Sequence, residues 1–159
     1  MMGSRARQAV AAGLQAFLEN DLDLVSEVIA GDEAINSLRY EIEQQCYALL
    51  AREQPVAGDM RTIVTALIIV TELERIADHG KKIARICRRT AGAPRPIPLD
   101  PIGHMGAMAL SMLDEALAAL AARDPGAARA VSVRDDEVDS LYKQTFNVTI
   151  SYMLENTSA

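Results

Sequence analysis

Apolar and polar positions follow a helical rhythm along most of the chain. From Leu24 the apolar stripe reads Leu24, Val28, Gly31, Ile35, Leu38, Ile42, Gln45 and Leu49. Alternating steps of three and four are the mark of a bundle helix. Turn signals divide the chain into five predicted helices. Asn20-Asp21 ends a first helix over about 5–20, and Asp21 caps a second over about 22–53. Gln54-Pro55 breaks the second, and a third runs over about 56–90. From Ile63 to Val70 the third is apolar nearly all round, which predicts its most buried stretch. It closes on Lys81, Lys82, Arg85, Arg88 and Arg89, charges that suit a helix C-terminus.

Residues 92–101 carry Pro94, Pro96, Pro98 and Pro101 and predict a semi-rigid crossover, because proline cannot continue a helix. A fourth helix, about 102–122, bears Met105, Met108, Met112, Ala116 and Leu120. Asp124-Pro125 supplies a cap followed by proline at the first helical position. A fifth helix is predicted over about 125–156, with its seam at Val131, Arg134, Val138, Leu141, Thr145, Val148 and Tyr152. The second half repeats the first at an offset of 103: Leu14 matches Leu117, Asp21 matches Asp124, Val28 matches Val131 and Asp32 matches Asp135. A gapless match across two helices implies duplicated architecture. The first unit has three helices and the second has two.

Composition agrees with an all-α fold. Half of the 159 residues are apolar, only 4% are aromatic and Trp is absent, which disfavours β-rich folds. A net charge of −6 argues against a broad nucleic-acid-binding face. No secretory signal pattern opens the chain. Strictly apolar runs such as Ala66–Val70 are far short of the roughly 20 residues of a membrane span, so none is expected. Cys46 and Cys87 fall on different helices, far apart along them. They predict two reduced core thiols and a cytoplasmic protein.

Acidic side chains are the candidate chemistry. Asp32/Asn36, Glu74/Asp78 and Asp135/Asp139 each stand at i, i+4, which puts both groups on one helix face about 6 Å apart. Two carboxylates so placed repel unless a cation lies between them. Oxygen-rich sets suit Mg, Ca, Mn or Fe. The competing reading is an ordinary charged face: Asp78 has Lys81 and Lys82 at i+3 and i+4, and Glu72 has Arg75 at i+3. A di-iron oxidase is disfavoured, because Ile76 and Pro101 stand three residues before His79 and His104, where a glutamate is needed. No Gly-x-Ser-x-Gly motif or glycine-rich phosphate loop is present, so no catalytic residues are assigned.

Two segments together are specific: Gln54-Pro-Val-Ala-Gly-Asp-Met-Arg61 and Leu73-Glu-Arg-Ile-Ala-Asp-His-Gly-Lys-Lys-Ile-Ala84. With Asp32-Glu-Ala-Ile-Asn36 and Asp135-Asp-Glu-Val-Asp139, the chain resembles the PhoU family of bacterial phosphate-uptake regulators over about residues 10–155. The resemblance implies tandem three-helix bundles, here 1–91 and 102–159 around the 92–101 linker, the second without its last helix. It implies no enzymatic activity, and negative regulation of phosphate uptake and phosphate-starvation signalling. The partners it implies are a transporter ATPase subunit and a membrane sensor kinase.

In some members, acidic Glu/Asp-x-x-x-Asp motifs hold metal clusters. By position these are Glu74 with Asp78, Asp135 with Asp139, and Asp32 with Asn36, so divalent, iron or zinc-type ions are implied here without any certain cofactor. Asn36 departs from the pattern and weakens its site. No sixth helix follows Tyr152, and the first helix is short against its neighbours. Both leave apolar seams open, so a homodimer, formed by docking or by helix exchange, is expected. Two other readings stay open: a carboxylate-cluster metal protein, and an interaction module of the same fold without a role in phosphate signalling.

Overall fold

The computed structural model describes residues 2–93 and 98–155. Met1, Asn156–Ala159 and the stretch from Pro94 to Ile97 in the predicted linker lie outside the described residues. The described helices are α1 (Met2–Glu19), α2 (Leu22–Glu53), α3 (Ala57–Thr90), α4 (Asp100–Ala122), α5 (Pro125–Val133) and α6 (Asp135–Glu155). The chain divides into two compact units, Met1–Arg88 and Arg89–Ala159.

The repeat predicted from sequence reappears in the turns. Asn20 and Arg123, 103 residues apart, both take the left-handed conformation, with φ of 58° and 53°. The next residue then donates its backbone N–H back to a buried alanine carbonyl: Asp21 to Ala16 at 3.0 Å, and Asp124 to Ala119 at 2.9 Å. That bond satisfies a helix-end carbonyl. The same two aspartates cap the following helix. Asp21 Oδ1 accepts from the N–H groups of Asp23 and Leu24, and Asp124 Oδ1 from those of Gly126 and Ala127. Each cap satisfies orphan donors at a helix start.

In the first unit, two ion pairs fix α2 against α3: Asp32 with Lys81, and Arg39 with Glu74. A rise of seven residues on α2 is matched by a fall of seven on α3, so the two run antiparallel. Helix α1 runs parallel to α3. Ala9 and Gly13 lie against Gly80, and the Cys87 thiol donates to the Ala16 carbonyl at 3.3 Å. Ala16, Val25, Ala84 and Cys87 form the centre, with Phe17, Leu24, Val28 and Ile29 packed on it. Small side chains let the helices approach closely, which is why so few aromatics suffice. At Gly13 and Gly80 the approach is backbone to backbone, and a Cβ on either glycine would overlap the facing chain.

In the first unit two sequence expectations are corrected. The stretch Ile63–Val70 is not the most buried part of α3. Val64 and Ile68 are exposed, and the buried strip is Val70, Leu73, Ala77, Gly80, Ala84 and Cys87. Among the described residues of the first unit, α1 covers α3 only from about Val70 onward, so within that unit the all-round apolar stretch has α2 alone beside it. The seam of α2 is also shifted. Its buried residues are Val25, Asp32, Ile35 and Cys46, while Gly31, Gln45 and Leu49 face out. An apolar count missed this because Asp32 and Arg39 lie on the line facing α3 and are paired there.

In the second unit α4 packs against α5 and α6. The single predicted helix over 125–156 is split at Arg134, whose guanidinium reaches Glu115 on α4. Restarting at Asp135 places Asp135, Asp136 and Glu137 in the first turn of α6. Carboxylates are favoured at that positive helix end. By length and composition α4 is apolar enough to cross a membrane. The count of strictly apolar runs missed this because Gly, His, Ser, Asp114 and Glu115 interrupt them. Asp114 and Glu115 lie within α4, and Glu115 is engaged by Arg134.

Candidate functional site

Most of the residues singled out by sequence gather on the α2–α3 face of the first unit. Asp32 is the most enclosed, at 8% exposure. Its Oδ2 accepts from the Lys81 ammonium across the helix pair and from the Asn36 amide N–H at 3.1 Å, one turn along α2. Asn36 therefore presents a donor to Asp32, where a carboxylate would have repelled it. One step along, Glu74 Oε2 accepts from Arg39 at 3.3 Å. Arg39 Nε lies 3.2 Å from Glu43 Oε1, and its guanidinium sits 4.9 Å from the centre of the Tyr40 ring. The Nε makes no well-aligned hydrogen bond, so its contact with Glu43 is one of charge.

Asp78 is half-buried on α3 and paired with Lys82 at 2.8 Å. The Lys82 hydrogen bond holds its carboxyl below the ordinary value of 3.8. Partial burial opposes that, and the charges of Lys82, Lys81 and His79 assist it. His79 itself faces out.

Asp135 and Asp139 are exposed on α6 in the second unit, and no ion pair engages either among the described residues. The pair is therefore unlike its counterpart at Asp32/Asn36, although the two coincide in the repeat. The nearby ion pair is Arg134 with Glu115, whose carboxyl is pulled down by hydrogen bonds from Arg134 and then Ser111.

The metal reading needs several carboxylates converging with free lone pairs. Among the described residues no three His, Cys, Asp or Glu side chains converge to hold a metal ion. In the first unit Lys81, Arg39 and Lys82 engage the carboxylates that would have to supply it. That donor set does not fit a metal as it stands.

Sequence spacing does not single out Arg39, and it places Lys81 only among the basic charges at the helix C-terminus and beside Asp78. A signal for both is present in the sequence. Asp32 and Arg39 are seven apart on one helix, and Glu74 and Lys81 are seven apart on the next. Two helices with acid-then-base order at equal spacing pair completely when antiparallel.

With this geometry in view, the comparison with known proteins is decisive. The model of the PhoU domain matches residues 1–87 and 102–159. The chain belongs to the PhoU family. A phosphate-specific transport system accessory protein PhoU homolog of Clostridium acetobutylicum is 37% identical over 99% of the chain, which spans 72% of that relative. The Rhizobium meliloti homolog is 33% identical over 98% of the chain, which spans 66% of it. The crystal structure of PhoU from Pseudomonas aeruginosa superposes with a TM-score of 0.90 at 32% identity, covering 99% of this chain and 76% of that one. The phosphate transport system regulatory protein PhoU from Streptococcus pneumoniae gives a TM-score of 0.88 at 25% identity, covering 97% of this chain and 72% of that one. The PhoU fold thus extends over both units.

Proposed function

We propose that this PhoU-family chain is a cytoplasmic, non-enzymatic adaptor that restrains phosphate uptake and phosphate-starvation signalling when phosphate is plentiful. Its partners on this reading are the phosphate transporter's ATPase subunit and a membrane sensor kinase. The observation that carries the reading is the match, along 98–99% of the chain, to relatives named as accessory proteins of the phosphate-specific transport system. The paired charges of the α2–α3 face support an adaptor over a metal store, because its carboxylates are already engaged.

The chain also self-associates on this reading, through α6. Tyr142, Phe146 and Met153 lie exposed on one face of that helix, at steps of four and seven residues. Faces of that kind usually meet a partner.

The adaptor reading is tested by co-purification of the tagged chain with the transporter ATPase subunit and the sensor kinase of its own genome. Deletion of its gene is read in parallel on a phosphate-starvation reporter. Capture of either partner, with the reporter derepressed in high phosphate, is expected. Capture of neither, with an unchanged reporter, overturns the adaptor reading.

A further inference from the structure

We propose that in the first unit of this chain Lys81, with Arg39 and Lys82, takes the place that a metal cation would hold on the acidic face, so that this face is complete without metal. The resemblance implies metal at Glu74, Asp78, Asp32 and Asn36. The side chains present argue for a different solution, and the inference does not depend on the adaptor role.

Carboxylates at i, i+4 on one helix, as Glu74 and Asp78 are on α3, repel each other unless positive charge lies near them. Here the chain provides it. Lys81 crosses from α3 to Asp32 on α2, Arg39 crosses the other way to Glu74, and Lys82 holds Asp78 from one turn along. The two crossing pairs have equal spacing on antiparallel helices, so satisfying one sets the register that satisfies the other.

Asn36 completes the substitution. An amide cannot share the charge of a cation, but its N–H₂ donates to the same Asp32 oxygen that Lys81 engages. Asp32 thus has two donors and little solvent. A divalent ion entering there would have to displace the lysine and leave an ammonium, 19% exposed, without its partner. Removing one member of a pair in so enclosed a setting is strongly unfavourable.

The test uses the full chain carrying Asp135→Asn and Asp139→Asn, so that any metal response reports on the first unit. Mn2+ is the probe, read by its electron paramagnetic resonance signal and by the thermal midpoint with and without EDTA. In this background Mn2+ is expected to keep the spectrum of the free aquo ion, and the midpoint should not move with Mn2+ or EDTA. Adding Lys81→Met removes the internal cation and leaves Asp32 with the Asn36 amide alone. The midpoint should fall, Mn2+ should raise it again with loss of the free-ion signal, and EDTA should reverse the rise. Lys81→Gln makes the same comparison if the methionine variant does not fold. Stoichiometric Mn2+ binding by the parent background, with a midpoint that EDTA lowers, overturns the proposal. So does a Lys81 variant that folds, keeps its midpoint and takes up no Mn2+.

Discussion

Asp32 shows how one residue can be read in two ways from sequence and in only one from structure. In sequence it heads an acidic i, i+4 pair. In the folded chain it is a nearly enclosed carboxylate with a lysine and an amide on one oxygen. Its role depends on Lys81, 49 residues away. No local spacing rule reports such a partner, which is why the site was only partly legible. Asp78 is the opposite case, since its partner Lys82 lies at i+4 and was visible as a competing reading from the start.

A pH prediction belongs at this scale. The folded-state pKa of Asp78 lies below its ordinary 3.8, so its contribution is present above that value and is lost as pH falls through the lower folded value. Asp78→Asn should lower the urea unfolding midpoint slightly at neutral pH, by no more than an exposed ion pair contributes, about 1 kcal/mol. The difference from the parent should shrink as the solution is taken below pH ~4. A difference that grows on acidification would contradict the assignment.

Among the elements, helix existence and boundaries were legible because caps and breakers are chemical signals carried by single residues. Asp21, Gln54-Pro55 and Asp124-Pro125 sit at observed helix ends. Burial was less legible. Ile63–Val70 is apolar all round yet partly exposed, since burial depends on which neighbouring helix reaches that level. The break at Arg134 was invisible to a periodicity argument, because the seam continues through it at Val138 and Leu141.

Glycines give the clearest test of packing between elements. Gly80→Ala should destabilise by about 1–3 kcal/mol or more, because its Cβ meets the backbone of Ala9 rather than a side chain that can turn away. Gly31→Ala, with nothing near its Cβ, should stabilise α2 by up to about 1 kcal/mol. Circular dichroism in a urea series compares the two. Equal effects would mean that α1 and α3 do not meet at Gly80.

Across the whole molecule, the duplication was legible because it is written twice at a constant offset. The two copies have diverged in what they bury. Of the described buried hydrophobic residues, all but Ala119 lie in the first unit. Its helices are closed by a third helix and by paired charges, whereas α6 carries Tyr142 and Phe146 outward, stacked with ring centres 6.1 Å apart. Self-association through α6 therefore predicts a mass in light scattering that climbs from monomer towards dimer with concentration. Phe146→Asp should hold it at the monomer. A parent mass that stays monomeric at every concentration would remove the dimer reading.

The Gly13–Gly80 crossing has a mechanical consequence for the first unit. Where backbone meets backbone, no side chain can act as a bearing, so α1 cannot slide along α3 without a clash. Tilting about the contact is opposed as well, because two turns further along α3 the Cys87 thiol holds the Ala16 carbonyl. The contact is a detent, and a pull on either end of α1 would be carried into α3.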